Sequence, residues 1–374
     1  MAADFRSALY LGLRHPWRTL RPWPALTTGQ PPVLDVPAGS RTVAGALADL
    51  VGAESALLAR STLHALIDVA AVVGRRAGRV LVDAGAYPLA GTALAATGLT
   101  SERFGHHDPA DLARRLARPA PPGPPLVVAD GICPCCGRVA PLAAYADLAR
   151  GAGGVLLVDD SQALGVLGSR RPGGSPYGSG GGGALRWAAV PPTGTVTVAS
   201  LAKGFGVPVA VLAGERGLVG RVARDGPLRL HASGPSAADV AAAHQAMATN
   251  LAVGDRLRAR LLRLVQRLRA GLARLGLPSP SGEFPVQAVG PFARPAAAAL
   301  WSQLRRRGVT TLLTRPCRGA GLMLTVLLTA GHQTREVDAA VYALAAASAA
   351  GTGRPALTPP GWMEVPDGQP AALG

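Results

Sequence analysis

The feature that most constrains this chain is a set of short, continuously apolar segments: RVLVD (79–83), PLVVAD (125–130), GVLLVDD (154–160), TVTVAS (195–200) and VAVLAG (209–214). A strand with one wet face alternates apolar and polar residues. These segments do not alternate, so they read as strands buried on both faces. Helical patterns separate them, among them STLHALIDVAAVVGRR, PADLARRLA and APLAAYADLARGA, and a helix GSRTVAGALADLVG and a strand SALLA precede them. Such alternation predicts an α/β fold: a large domain with a mostly parallel sheet between helices, plus a smaller C-terminal α/β domain. Ligands in sheets of this kind gather at the carboxyl ends of the strands. This sequence places Asp159, Asp160, Ser200 and Lys203 there.

Composition narrows the chemistry. With 374 residues and 48% hydrophobic content the chain has ample material for a core, which excludes wholesale disorder. Lys203 is the only lysine among 38 basic residues. Arginine does the work of a plain surface cation, but only lysine can lose its proton and act as an amine. The net charge of +16 could attract nucleic acid or an anionic membrane. The arginines are scattered, however, and aromatic residues make up only 4%, so no nucleic-acid partner is expected. No apolar run approaches the ~18 residues of a membrane span. The opening MAADFRSALYLGLRHPW lacks the apolar core and cleavage site of a signal peptide. Cysteines crowded at Cys133, Cys135 and Cys136 do not form a secreted disulfide framework. The expected location is cytoplasmic.

Along the chain, residues 1–40 read as an arm rich in Pro, Arg and Trp that packs on something else. Residues 41–245 form the large domain and 246–350 the small domain with a linking helix, the amphipathic run 253–275 with a solvated arginine face. Residues 351–374 read as an irregular tail. The glycine run 173–183 lacks the Gly-Lys-Ser/Thr ending of a phosphate loop and reads as a flexible insertion. The Cys133–Cys136 cluster has zinc-ligand spacing, but a zinc site needs about four ligands and Cys317 is the only cysteine outside the cluster, so no metal is expected. His106 and His107 read as capping or surface residues ahead of a helix, Asp160 as a helix N-cap, and His244 and His332 as structural.

Asp159 ends one buried strand, and Lys203 follows another. A desolvated lysine has its charged form disfavoured and becomes available for a Schiff base. The cofactor that uses such a lysine, with a carboxylate holding its ring nitrogen protonated, is pyridoxal 5'-phosphate. Ser200, Ser61 and Thr62 are the nearby candidates for its phosphate.

Five segments, in order, resemble the pyridoxal-phosphate-dependent α-oxoamine synthases, the group of 8-amino-7-oxononanoate synthase and 2-amino-3-ketobutyrate CoA ligase within the fold type I aminotransferase class I/II superfamily. They are ERFGHHDPADLARRL (102–116), ADGICPCCGRVAPL (129–142), LLVDDSQALGVLG (156–168), SLAKGFGVPVAVLAG (200–214) and LTRPCRGAGLMLTVLLTAGH (313–332). The resemblance implies that Lys203 is the Schiff-base lysine, Asp159 the partner of the ring nitrogen and Ser200 a phosphate contact. It further implies that Ser233 reaches the phosphate of a partner subunit in a homodimer, and that Arg315 clamps the substrate carboxylate. Tyr87 falls where the family has a histidine stacked on the cofactor ring.

Four positions depart from the family pattern. Tyr87 and Gln162 each replace a histidine, Thr62-Leu63 replaces a Gly-aromatic pair at the phosphate loop, and Pro134 replaces a serine. The resemblance implies a transferase that acts on an amino acid and takes an acyl group from a thioester, of CoA or of a carrier protein. An aminotransferase is the alternative that the departures leave open, and a non-catalytic relative with a structural or regulatory role is a further one.

Overall fold

The computed structural model describes residues 3–317 and 319–352. The central sheet has seven strands: β1 (Ser55–Ala59), β2 (Arg79–Asp83), β3 (Glu102–Phe104), β4 (Pro125–Asp130), β5 (Val155–Asp159), β6 (Thr195–Ser200) and β7 (Ala210–Gly214). Their order across the sheet is β1-β7-β6-β5-β4-β2-β3. Pairing is parallel from β6 to β3, whereas β7 runs antiparallel to both β1 and β6. The short edge strand β3 carries no apolar run, and the sequence pattern does not reveal it.

The apolar runs are continuous because both faces of the sheet are covered. Leu126 and Val128 of β4 enter one core cluster with the helices Thr62–Val72 and Pro88–Ala96. Val127 and Ala129 enter another, with the helix Leu142–Gly151 and the C-terminal part of the chain. Burying each Val or Leu stabilises the fold by about 1.5–3 kcal/mol, and the buried threonines of β6, Thr195 and Thr197, donate their hydroxyls to backbone carbonyls. Register then aligns those ends: Asp130 of β4 lies opposite Asp159 of β5, and Asp159 opposite Val198 of β6.

A second, antiparallel sheet follows, made of β8 (Val286–Phe292), β9 (Leu312–Thr314) and β10 (Leu322–Leu327) in the order β9-β10-β8. The N-terminal arm packs on this part of the chain. Ala3–Asp4 pairs with Val309–Thr310, Phe5 stacks on His332 at 4.5 Å, and Tyr10 O accepts from Ala330 N at 2.7 Å.

The structure changes several sequence expectations. The run 253–275 is the second part of one 38-residue helix, Ala237–Arg274, whose start is capped by Ser236 and Asp239. That helix passes through the boundary expected at 245/246. Its arginine face is not wholly solvated: Arg258 is buried and donates to Gly165 O and to Asn250 Oδ1, both at 2.8 Å. The glycine run 173–183 is a packed loop rather than a flexible insertion. Tyr177 within it is buried and donates to Glu283 O at 2.7 Å, and Asp255 accepts from Gly180 N at 3.0 Å. Residues 353–374, most of the expected tail, lie outside the described residues. Among the described residues no helix is long and apolar enough to cross a membrane.

Candidate active site

The carboxyl ends of β4, β5 and β6 open into a cavity of about 200 Å³ lined by residues that include Thr62, Tyr87, Asp130, Asp159, Gln162 and Lys203. Lys203 sits in the turn after β6, and burial lowers its pKa while Asp159 and Asp130 pull it back up. The balance favours a neutral amine more than an exposed lysine would allow. Asp159 is buried at the end of β5, where its Oδ1 accepts from Ser161 N at 3.0 Å.

Ser200 ends β6 and also lines the cavity. Its amide donates to Ser161 Oγ at 2.9 Å, and its hydroxyl accepts from Ala202 N at 3.2 Å. Thr62 is the first residue of the helix Thr62–Val72, which Ser61 caps by accepting from His64 N. A helix start beside a cavity offers backbone N–H groups and a partial positive charge to an anion. Leu63 does not line the cavity; it packs against the core cluster beneath that helix. Gln162 lines it, and its Oε1 accepts from the hydroxyl of the fully buried Tyr10. Tyr87 borders it with a half-exposed ring, and its amide donates to Asp130 Oδ2 at 2.9 Å.

Two further expected residues lie outside this cavity. Ser233 is exposed in the loop before the helix Ala237–Arg274, and Arg315 is exposed just after β9. Two polar residues that sequence reasoning passed over line the cavity: Asp130 and Ser161. Asp130 was legible, because it ends an apolar strand as Asp159 does. Burial and the neighbouring Asp159 charge push the Asp130 carboxyl well above the usual carboxylate range. One negative charge of the pair is thereby favoured over two.

Asp160 does not cap the segment that follows it. It is fully buried, and its Oδ2 accepts from Ala184 N at 2.8 Å, in the first turn of the helix Gly183–Trp187. His106 is neither a cap nor a surface residue. It is buried, with Nδ1 at 2.6 Å from Asp83 Oδ1, and the cap of the next helix is Asp108. Around His106 the structure gathers Cys133, Cys136 and Cys317, so the Cys-x-x-Cys pair has the two further potential ligands that the sequence did not supply.

The cavity's donor set fits pyridoxal phosphate. A desolvated amine, a buried carboxylate and a helix start with adjacent hydroxyls surround one small space, and each matches a different part of that molecule: aldehyde, ring nitrogen and phosphate.

Residues 37–344 match the family described as aminotransferase class I and II. The chain is 34% identical over 307 residues to the 8-amino-7-oxononanoate synthase of Halorhodospira halophila, covering 81% of this chain and 73% of that protein. It is 31% identical over 342 residues to the synthase of the same name from Pseudomonas aeruginosa, covering 90% and 76%. In fold it resembles the serine palmitoyltransferase of Sphingomonas wittichii, with a TM-score of 0.83 at 21% identity, over 95% of this chain and 89% of that one. The strand order, the lysine and aspartate at the strand ends and this match over most of the chain lead to one conclusion: the chain belongs to the class I and II aminotransferase family, on its α-oxoamine synthase branch.

Proposed function

We propose that this protein is a pyridoxal-phosphate-dependent transferase that joins an amino acid to an acyl group taken from a thioester. The observation that carries the reading is the half-buried Lys203 amine, desolvated and sharing one cavity with Asp159 and Asp130. The bound cofactor would supply an electron sink for charge developing at the amino acid's α-carbon. Lys203 Nζ would hold the cofactor's aldehyde carbon in the resting enzyme and, once displaced, take the α-proton. Its desolvation suits it to that work, since a base acts best with a pKa near the operating pH. The Asp159 carboxylate would hold the proton on the ring nitrogen, and burial beside Asp159 pushes the Asp130 carboxyl well above the usual carboxylate range, which favours one charge on the pair over two.

Thr62, Ser200 and the helix start at Thr62 would hold the phosphate, and Tyr87 would supply an aromatic face to the ring. Gln162, oriented by Tyr10, would serve the ring hydroxyl. Leu63 serves this site only by seating the helix start. Arg315 binds the substrate carboxylate as a two-pronged donor. Ser233 contacts the phosphate of a second protomer, which makes the enzyme a homodimer; the exposed Leu251, on the helix that follows Ser233, fits a surface covered by such a partner. Residues 41–245 would form the cofactor-binding part and 246–350 the small domain, the two sharing the long helix Ala237–Arg274. The four free cysteines suit the reducing cytoplasm.

Gln162 in place of a histidine favours a second reading, transamination. One assay separates the two. The purified protein with cofactor is offered amino acids together with acyl thioesters, and free thiol and keto acid are both measured. Thiol release that requires the amino acid is the expected result. Conversion of keto acids to amino acids without thiol release overturns the acyl-transfer reading.

A further inference from the structure

We propose that His106, Cys133, Cys136 and Cys317 form a tetrahedral zinc site that ties the turn after β4 to the C-terminal sheet. Their four candidate ligand atoms lie within 4.8 Å of one another. Cys133 Sγ is 3.1 Å from Cys317 Sγ, and Cys136 Sγ is 4.0 Å from His106 Nε2. A zinc ion with Zn–S bonds of about 2.3 Å holds its sulfurs roughly 3.8 Å apart, so a small opening of the sulfurs seats one. Three thiolates and an imidazole are a soft donor set, which selects zinc over magnesium or calcium.

The surroundings are those of a metal ligand set rather than of four incidental side chains. Asp83 Oδ1 lies 2.6 Å from His106 Nδ1, and with zinc bound this acceptor would hold the ring proton on Nδ1 so that Nε2, 4.0 Å from Cys136 Sγ, ligates the ion. Asp83 is itself fixed by three donors: the Tyr145 hydroxyl at 3.0 Å, Gly85 N at 2.8 Å and His107 N at 3.0 Å. A carboxylate that orients a histidine in this way is the usual support behind a zinc ligand.

The cysteine turn is shaped for the same purpose. Gly137 N donates to Cys133 O at 2.8 Å and Cys133 N to Arg138 O at 3.0 Å, which folds the two cysteines of the turn toward each other. Gly137 has a φ of 66°, and a Cβ there would fall 2.3 Å from Val286 O of β8. Only glycine lets the turn sit this close to the second sheet. Cys317 then reaches the turn from the segment after β9. A cavity of about 390 Å³ bordered by His106, Cys136 and Cys317 gives an ion access.

Binding would release one proton from each coordinating thiol and leave a closed site with no open position, which marks it as structural. Its consequence for the active site is positional. Pro134, between the coordinating cysteines, lines the Lys203 cavity, and Arg315 lies two residues before Cys317. The ion would hold both segments in one place.

The test uses the whole chain, purified with reductant from cells grown with added zinc, free of any metal-binding tag. Metal content and X-ray absorption at the zinc edge are measured. We expect about one zinc per chain, with three sulfurs at about 2.3 Å and one nitrogen at about 2.0–2.1 Å. Cys136→Ser and Cys317→Ser should each lower the zinc content at least tenfold, whereas Cys135→Ser should keep it. A wild-type protein that takes up no zinc overturns the proposal, and so does one that isolates with a Cys133–Cys317 disulfide despite reductant. Full zinc retention in Cys317→Ser overturns it as well. If the variants fail to fold, the wild-type absorption spectrum decides, and a shell of nitrogen and oxygen alone overturns the site. None of these readouts depends on the cofactor.

Discussion

The Lys203 cavity and the cysteine–histidine cluster draw on the same turn. Ile132 and Pro134 line the first, while Cys135 and Cys136 border the cavity beside the second. They differ in what assembles them. The cavity takes Asp130, Asp159, Ser200 and Lys203 from the ends of neighbouring strands, and the hydrogen-bond register aligns those ends once the sheet forms. The cluster takes His106 from after β3, two cysteines from after β4 and Cys317 from after β9, 184 residues beyond Cys133. It exists only when the C-terminal sheet has docked. One site follows from the sheet; the other reports on how two parts of the chain meet.

That difference predicts separable failures. Lys203→Ala should produce the largest effect. It should abolish the yellow colour of the lysine-bound cofactor and lower turnover by about 10³-fold or more, because the same amine is both attachment point and base. Zinc content should stay unchanged. If the colour persists in Lys203→Ala, the cofactor assignment fails. Asp159→Asn ranks next. It keeps the side chain's shape and its bond from Ser161 N but removes the charge, and turnover should fall about 10²-fold with the fold intact. An Asp159→Asn enzyme with full turnover would show that Asp130 can take over the partner role.

The same contrast explains what the sequence could reveal. Lys203, Asp159 and Ser200 were legible because a continuous apolar run followed by a polar residue marks both a buried strand and its ligand-facing end. Asp130 obeys that rule equally and lies in the quoted segment 129–142, so the sequence marks it just as it marks Asp159. Thr62 was legible as a hydroxyl at the start of a helical run. The strand β3 was not, since three residues, ERF, carry no period. His106 misled for a physical reason. Its position before a helix suggests capping, but the cap is Asp108, and the histidine turns inward to Asp83, 23 residues upstream. Cys317 as a partner of Cys133 was invisible, because nothing local encodes where a C-terminal segment will dock.

A smaller effect tests the cluster's role in stability. Any ligand that binds only the folded state stabilises it by mass action, about 4 kcal/mol at a free concentration 1,000 times its dissociation constant. Stripping zinc with a strong chelator should therefore lower the thermal midpoint by several degrees, and adding zinc back should restore it. Cys317→Ser should show the low midpoint and no response to either treatment. Cofactor colour should survive at temperatures below the transition, since the strand ends hold the cavity without the ion. A midpoint indifferent to chelation would remove the staple from the argument.

The smallest effect comes from a carboxylate that lines neither site, and it separates burial from function. Asp68, on the helix Thr62–Val72, is buried, and desolvation raises its pKa to about 6 although its Oδ1 accepts from Leu228 N at 2.7 Å. The folded state then holds a proton between about pH 4 and 6 that the unfolded chain gives up. Stability from this group is present at low pH, falls as pH rises through that window, and stays lower above it. Asp68→Asn keeps the acceptor and the shape and cannot ionise. The variant should therefore be more stable than the wild type at pH 7, by roughly 1–2 kcal/mol after allowing for partial solvent screening, and equal to it near pH 4. Denaturant unfolding at the two pH values reads the difference directly. A gap of the same size at both would mean that Asp68 acts through packing rather than charge. Because Asp68 sits on the helix whose first turn borders the Lys203 cavity, unchanged turnover in Asp68→Asn would also show that the helix start is positioned by its cap and not by this buried charge.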